Sequence, residues 1–116
     1  MEGHMSRLAG LALLVLALFV AAPGAAQAAT CTPPKYPGSG YFTTLKVTKV
    51  SCTTGKSVAL AFHKCRVKHG IKGRCTSKVS GYTCRETRTS IPTEIDGRVK
   101  CTRGSRRVEL TYQQNT

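Results

Sequence analysis

Acidic and aromatic residues are both scarce in this chain of 116 residues. Asp and Glu total five against 18 Lys and Arg, aromatic residues make up 6%, and tryptophan is absent. A glycoside hydrolase needs two carboxylates that flank a cleft, so this small set of acids argues against that activity. Base-specific recognition of single-stranded nucleic acid relies on stacking aromatics, and the few that are present are also needed for a core.

The sequence also lacks an apolar run long enough to span a bilayer comfortably. Its longest run covers residues 8–22, whereas a transmembrane helix needs about 20 apolar residues. Arg7 precedes this run, and a Pro-Gly pair with small residues follows it, which is the order found in signal peptides. Because Ala26 and Ala28 are small enough for the signal peptidase pocket, we predict that residues 1–28 are removed and that the processed protein is secreted.

The predicted cleavage leaves one small domain. Residues 29–40 are rich in proline and glycine, which predicts a surface arm without helix or strand that is held only by Cys31. Residues 41–116 form the predicted domain, which is marginally stable on a hydrophobic core of its own. Covalent cross-links are therefore expected to supply much of its stability.

Six cysteines follow the predicted signal peptide, an even number that indicates three disulfides formed in an oxidising compartment. They are Cys31, Cys52, Cys65, Cys75, Cys84 and Cys101. Cys52 and Cys65 would stand at opposite ends of a helix, about 20 Å apart, so they cannot bond to each other. Because Cys65 is on the apolar helix face and two later cysteines point inward, helix-to-sheet bridges are favoured. The predicted pairs are Cys65 with Cys84, Cys52 with Cys101, and Cys31 with Cys75.

One strand and one helix are predicted in the first half of the domain. The strand covers residues 41–52, with a bulge where Lys49 interrupts the apolar positions. The helix is capped by Thr53 or Thr54 and ends at Gly70, which is suited to a left-handed conformation. Its apolar face carries residues at spacings of three and four, namely Val58, Ala61, Phe62 and Cys65.

Alternating patterns predict three more strands, over residues 79–87, 95–102 and 105–112. Arg103 and Gly104 are expected to form the turn between the last two, which would place Val99 opposite Val108, and a longer loop is expected around Ile91. The predicted fold is α+β, in the order β-α-β-β-β, with one helix packed on an antiparallel sheet of about four strands and with disulfide staples. The covered face is lined by Leu45, Val47, Tyr82, Val99, Val108, Leu110 and Tyr112.

Two groups of chemically reactive residues need to be considered. A metal site could use Cys65, His69 and Cys75, but their spacing matches no zinc pattern and the thiols are expected to be oxidised. His63 and His69 would suit a ribonuclease, yet residues six apart on a helix point about 240° apart and cannot face one phosphate. The sequence therefore predicts no catalytic residue, no metal ion and no cofactor.

Positive charge is the remaining signal. The formal net charge is +13, and removal of residues 1–28 leaves it unchanged because one base and one acid are lost. The first basic group, at the helix end and the following loop, is Lys64, Arg66, Lys68, Lys72 and Arg74. The second basic group, around the predicted turn, is Arg98, Lys100, Arg103, Arg106 and Arg107. If both groups lie on one side of the fold, they form a surface for an anionic cell-surface polymer, an anionic lipid or nucleic acid.

Four short motifs resemble those of small exported proteins that are common in actinobacteria. They are Val-Ser-Cys at residues 50–52, Val-Ala-Leu-Ala-Phe at 58–62, Gly-Tyr-Thr-Cys at 81–84 and Val-Lys-Cys at 99–101. The likeness spans most of the chain after the predicted signal peptide. It implies export and a disulfide-braced α+β domain, and it implies no active-site residue.

The leading hypothesis is therefore a secreted, strongly basic, non-enzymatic module that binds anionic surfaces or polymers. A secreted hydrolase or nuclease that uses His63 or His69 is one alternative. A toxin-like or inhibitory protein is another, and a basic surface without a dedicated partner is the third.

Overall fold

Alternating polar and apolar residues build an antiparallel sheet, and one helix packs across one of its faces. The structure is a computed structural model that describes residues 27–116, so residues 1–26 of the predicted signal peptide lie outside the described residues. Its elements are β1 (Ala28–Cys31), β2 (Gly40–Thr48), α1 (Cys52–Val67), β3 (Thr83–Ile91), β4 (Glu94–Arg103) and β5 (Arg106–Asn115). The strands lie in the order β1-β2-β5-β4-β3. The predicted α+β fold with disulfide staples is confirmed, with five strands instead of about four.

The additional strand is β1, at the start of the segment that was predicted to be an arm without secondary structure. Ala29 pairs with Val47 and Cys31 with Leu45 along the edge of β2. The prolines of this segment begin only after Thr32, so the β1 residues keep the backbone N–H groups that a ladder requires. The predicted cleavage point, after Ala28, lies within β1.

The bulge of β2 is near its start and not at Lys49, where the sequence predicted it. The register with β5 shifts between Phe42 and Thr44, so Thr43 is the extra residue. The strand ends at Thr48, and Lys49 takes a left-handed conformation with φ of 61°. The interruption in the apolar alternation at Lys49 therefore marks the turn that leads into α1.

α1 is capped by Ser51, whose side-chain oxygen accepts a hydrogen bond from the Thr54 amide at 3.1 Å. The predicted caps, Thr53 and Thr54, lie in the first turn instead. The buried residues of the helix are Gly55, Val58, Ala59, Phe62, His63 and Arg66. Ala61 and Cys65, which were expected on this face, are only partly buried. The buried stripe is thus rotated around the helix relative to the prediction.

Gly55 brings α1 close to the sheet. A Cβ atom at this position would lie 2.5 Å from Cγ1 of Val47, which is closer than side chains pack. Only glycine lets the first turns of the helix lie directly against β2. The helix consequently covers the side of the sheet on which Leu45 and Val47 are buried.

The hairpin of β4 and β5 turns at Gly104 and Ser105, one residue later than predicted. Arg103 pairs with Arg106, so Val99 faces Leu110 and not Val108. Gly104 has a positive φ of 61°, as the first central residue of a type II′ turn requires. The register differs from the prediction by two residues, so every side chain keeps its predicted face.

The connection between β3 and β4 is shorter than predicted. Ile91 pairs with Glu94, so Pro92 and Thr93 form a two-residue turn in place of a longer loop. Before β3, Val79 and Tyr82 exchange two backbone hydrogen bonds around Ser80 and Gly81. This earlier turn delays the start of β3 to Thr83.

The hydrophobic core lies between α1 and the face of the sheet that we call the core face. All seven side chains that the sequence assigned to this face are buried. They are Leu45, Val47, Tyr82, Val99, Val108, Leu110 and Tyr112. The period-two pattern of the strands therefore predicted the core correctly.

The three disulfides join Cys31 to Cys52, Cys65 to Cys75, and Cys84 to Cys101. All three predicted pairings are wrong. Cys84 and Cys101 do point inward, but they are direct register partners on β3 and β4, so they bond to each other rather than to the helix. Each of the other two bridges also joins elements that are close in sequence, at separations of 21 and 10 residues.

Candidate anion-binding face

The second face of the sheet points away from α1. Side chains alternate along a strand, so the neighbours of each core residue point to the opposite side. Lys46, for example, lies between the buried Leu45 and Val47 and is exposed. We call this second surface the open face. Its central residues are Thr30, Thr44, Lys46, Arg85, Thr87, Arg98, Lys100, Arg107, Glu109 and Thr111.

Two rows of side chains cross the open face from strand to strand. The charged row consists of Lys46, Glu109, Lys100 and Arg85, which are register partners on β2, β5, β4 and β3. The hydroxyl row consists of Thr44, Thr111, Arg98 and Thr87 on the same strands. Neighbours within a row are about 4.8 Å apart, and the rows are separated by about 7 Å along the strands.

Five of the central side chains are basic and only Glu109 is acidic. The Glu109 Oε2 atom lies 3.8 Å from Lys100 Nζ and 3.6 Å from Arg107 Nη1, so two cations share one carboxylate. Among the residues that the structure describes, Lys46, Arg85 and Arg98 form no ion pair. The centre of the open face therefore carries uncompensated positive charge.

The sign of the charge changes towards the end of the sheet that holds the β3–β4 turn. Asp96 has the same parity on β4 as Arg98 and Lys100, and it pairs with Gln113 of β5. A hydrogen bond with Asp96 raises the pKa of the nearby Glu94 carboxyl. The positive region of the open face is thus bounded by an acidic end.

The open face is slightly hollow. A shallow depression of about 650 Å³ lies over its centre and is lined by residues of all five strands. Its hydroxyls include the pair Thr44 and Thr111, whose Oγ1 atoms are 2.6 Å apart. A depression of this size lies within the range of about 300 to 1,000 Å³ that is usual for ligand sites.

The second basic group is divided between two places. Arg98, Lys100 and Arg107 belong to the open face, as the predicted parity of their strands implies. Arg103 and Arg106 have the opposite parity and lie at the β4–β5 turn, where they border a separate cavity of about 350 Å³ beside the start of α1. Only three residues of this group can therefore act together on the open face.

The first basic group lies outside the open face. Lys64 is exposed on α1, which packs on the core face, and Lys68, Lys72 and Arg74 are exposed in the connection that follows. Arg66 is not a surface residue, because it is only 1% exposed. The two basic groups thus do not merge into one surface, contrary to the arrangement considered from the sequence.

The guanidinium of Arg66 is held in a buried polar cluster. Its Nη2 donates to the Tyr36 hydroxyl at 2.9 Å and to Gln114 Oε1 at 3.0 Å, and its Nη1 donates to the Ile71 carbonyl at 2.6 Å. The Cζ atom also lies 4.6 Å from the centre of the Tyr112 ring, a cation–π contact. Arg66 therefore ties the helix to both ends of the domain, and its burial keeps its guanidinium away from any ligand at the surface.

Arg88 has a similar structural role beside this cluster. Its Nε donates to Glu86 Oε2 at 2.8 Å, and its two terminal nitrogens donate to the carbonyls of Lys72 and Gly73. Glu86 also accepts from the Tyr112 hydroxyl, and burial together with this carboxylate raises the pKa of Tyr112. The two arginines thereby fix the Gly-rich connection that follows α1.

The two histidines of the nuclease alternative do not share a surface. His63 is 7% exposed and packs edge-on against Tyr36, with ring centres 4.7 Å apart. Burial and the nearby charge of Arg66 lower the pKa of His63. His69 is exposed beyond the last residue of α1. Neither ring lines the depression of the open face or the cavity beside the start of α1.

The metal site considered from the sequence is replaced by a covalent bond, since Cys65 and Cys75 form a disulfide. Within residues 27–116, no cluster of three or more His, Cys, Asp or Glu side chains is placed to hold a metal ion. The same part of the chain contains no helix with the length and apolar character needed to cross a membrane.

Two cations of the open face, Lys46 and Arg85, are absent from both predicted basic groups. Lys46 alternates with Leu45 and Val47, and Arg85 directly follows Cys84, so strand parity alone could have assigned both to the face opposite the core. Neither residue belongs to a run of basic residues, because each is isolated in sequence.

Comparisons of this chain with protein-family models, with curated proteins and with solved structures found no match.

Proposed function

We propose that this protein is an exported, non-enzymatic module that binds anionic polymers through its open face. The observation that carries the proposal is the presence of five cations and one carboxylate on a single solvent-facing surface of the sheet. Three of those cations have no ion-pair partner among the described residues. A polyanion would neutralise them without having to break a strong existing contact.

The sheet supports binding because it fixes the backbone beneath the charges. Lys46, Lys100 and Arg85 project from three different strands that are held in register by backbone hydrogen bonds. Only side-chain freedom is lost when such a surface binds a ligand, which limits the entropic cost of association. The net charge of +13 adds long-range attraction to any polyanion.

Export is the second part of the proposal. Three disulfides are compatible with an oxidising compartment outside the cytosol. The basic residue, apolar run and small-residue site at the start of the sequence supply the signal for transport. Detection of the processed chain in culture medium, with its first residue at position 29, tests this part directly.

The binding proposal is tested by two variants that lose the same charge from different faces. The open-face variant carries Lys46→Gln, Arg98→Gln and Lys100→Gln, and the matched control carries Lys64→Gln, Arg74→Gln and Lys68→Gln. Affinity for a short inorganic polyphosphate is measured over a series of salt concentrations. Affinity falls as the salt concentration rises, and the slope of log affinity against log salt concentration measures this dependence. We expect the magnitude of the slope to be smaller by about two to three units in the open-face variant and by less than about one in the control.

Equal losses in the two variants would contradict the proposal. That result would mean that net charge alone governs the interaction and that the open face has no special part in it. Both variants replace exposed side chains, so both should keep the unfolding midpoint of the parent protein.

A further inference from the structure

Hydroxyl groups and cations lie side by side on the open face. In the hydroxyl row, the register places Arg98 directly between Thr111 and Thr87. In the adjacent charged row, Lys46 is the register partner of Thr30 on β1. A ligand that lies across either row therefore meets a charged donor and a neutral hydroxyl within about 5 Å of each other.

Aromatic side chains are absent from the lining of the central depression. The one strongly exposed aromatic among the described residues is Tyr41, which is 63% exposed and pairs with Gln113 near the acidic end of the sheet. Proteins that bind single-stranded nucleic acid usually stack its bases on aromatic rings. This depression offers no such platform, so charge and hydrogen bonding must supply the recognition.

The floor of the depression is partly apolar. Threonine contributes a methyl group as well as a hydroxyl, and the long stems of lysine and arginine cover apolar surface while their charged ends reach solvent. Leu45, Val99 and Leu110 border the depression through their backbone only, because their side chains are buried on the core face. A ligand suited to this floor has apolar patches between its polar groups.

We propose that the ligand of the open face is an anionic polysaccharide. Its acidic groups pair with Lys46, Arg98 and Lys100, its hydroxyls exchange hydrogen bonds with Thr30 and Thr87, and the C–H faces of its sugar rings lie on the threonine methyls. This inference rests on the proposed function, because it names the class of polymer that binds the same face.

The test separates hydroxyl recognition from charge. The variant Thr30→Val with Thr87→Val removes two exposed hydroxyls that line the depression, and it keeps both the shape and the charge of the face. The matched control, Thr76→Val with Thr93→Val, changes exposed threonines away from the depression. The probes are a heparin-derived octasaccharide, an oligogalacturonate, a short inorganic polyphosphate and oligothymidylate, each at an ionic strength of about 0.15 M.

We expect the open-face threonine variant to bind both oligosaccharides about tenfold more weakly, because two hydrogen bonds are lost. Polyphosphate has no C–H face and no sugar hydroxyl, so its affinity should change by less than about twofold. An unchanged thermal unfolding midpoint confirms that the variant is folded. The control variant should bind every probe as the parent protein does. A difference between the sulfated and carboxylated oligosaccharides identifies the acidic group that is preferred.

Two results would overturn the inference while leaving the proposed function intact. One is an oligosaccharide affinity that the open-face threonine variant does not alter. The other is tighter binding of oligothymidylate than of either oligosaccharide. Failure of the proposed function would give a different result, because replacing Lys46, Arg98 or Lys100 would then leave the affinity for every probe unchanged.

Discussion

The two faces of the sheet use the same residue type for opposite purposes. Arg66, which packs against the core face, is buried and donates to Tyr36, Gln114 and the Ile71 carbonyl. Arg98, on the open face, is exposed and forms no ion pair among the described residues. The burial of an arginine in the fold therefore decides whether it stabilises the structure or is available to a ligand. Its membership of a run of basic residues in the sequence does not.

The largest expected effect is on the core side. Arg66→Ala removes the guanidinium that donates to the Tyr36 hydroxyl, to Gln114 Oε1 and to the Ile71 carbonyl, and it opens a cavity beneath α1. We expect the free energy of unfolding to fall by about 3 to 5 kcal/mol. Urea unfolding with the disulfides intact measures the change.

The control for this prediction is Arg98→Ala, which replaces an exposed arginine of the open face. Its unfolding free energy should change by less than about 0.5 kcal/mol. If the two variants were equally stable, the buried cluster around Arg66 would have no part in holding the fold.

A smaller loss of stability is expected from removing one cross-link of the core side. Replacing both Cys84 and Cys101 by Ala releases a bridge between residues 17 apart in sequence, which should cost about 3 kcal/mol. The matched control is Arg85→Ala with Lys100→Ala, the next register pair on the same strands but on the open face. Thermal unfolding of both double variants compares the two faces; an unchanged midpoint for the cysteine variant would contradict the prediction.

Most of the correct predictions from the sequence concerned the face of the sheet to which each strand residue points. The alternation of residue types is local, so it assigned all seven core side chains to one face even though the hairpin register was displaced by two residues. The disulfides depend on which elements meet in space, and local alternation does not contain that information. Cys84 and Cys101 were correctly given inward parity, but their direct pairing required the β3–β4 register.

The division of the basic residues was harder to foresee for the same reason. Arg66 resembles its neighbours Lys64 and Lys68 in sequence, and its polar partners Tyr36 and Gln114 are 30 and 48 residues away. Lys46, in contrast, alternates with two core residues, so its position on the open face followed from parity alone. Long-range contacts, and not residue type, separate structural arginines from candidate ligand-binding ones.

The smallest expected effect is a pH dependence of stability. The pKa of the buried His63 is lowered from its ordinary value of 6.5 by burial and by Arg66. Below about pH 6.5 the unfolded chain therefore takes up a proton that the folded chain excludes, and stability falls as the pH decreases. Titration of this one group changes the free energy of unfolding by at most about 1.4 kcal/mol per pH unit.

His63→Phe should remove this dependence, because phenylalanine keeps an aromatic ring beside Tyr36 and Phe42 and does not titrate. The exposed His69 provides the control, since His69→Gln should keep the pH dependence of the parent protein. Thermal unfolding between pH 7 and about pH 5 measures both. A His63→Phe variant that still lost stability over this range would contradict the assignment.

The central claim is that the open face, and not the first basic group, binds an anionic polymer. It is tested most directly by following the backbone amide chemical shifts of the protein by NMR while a short inorganic polyphosphate is added. The largest changes are expected at Lys46, Arg98 and Lys100. Changes concentrated between Lys64 and Arg74, or spread evenly over both sides of the molecule, would contradict the claim.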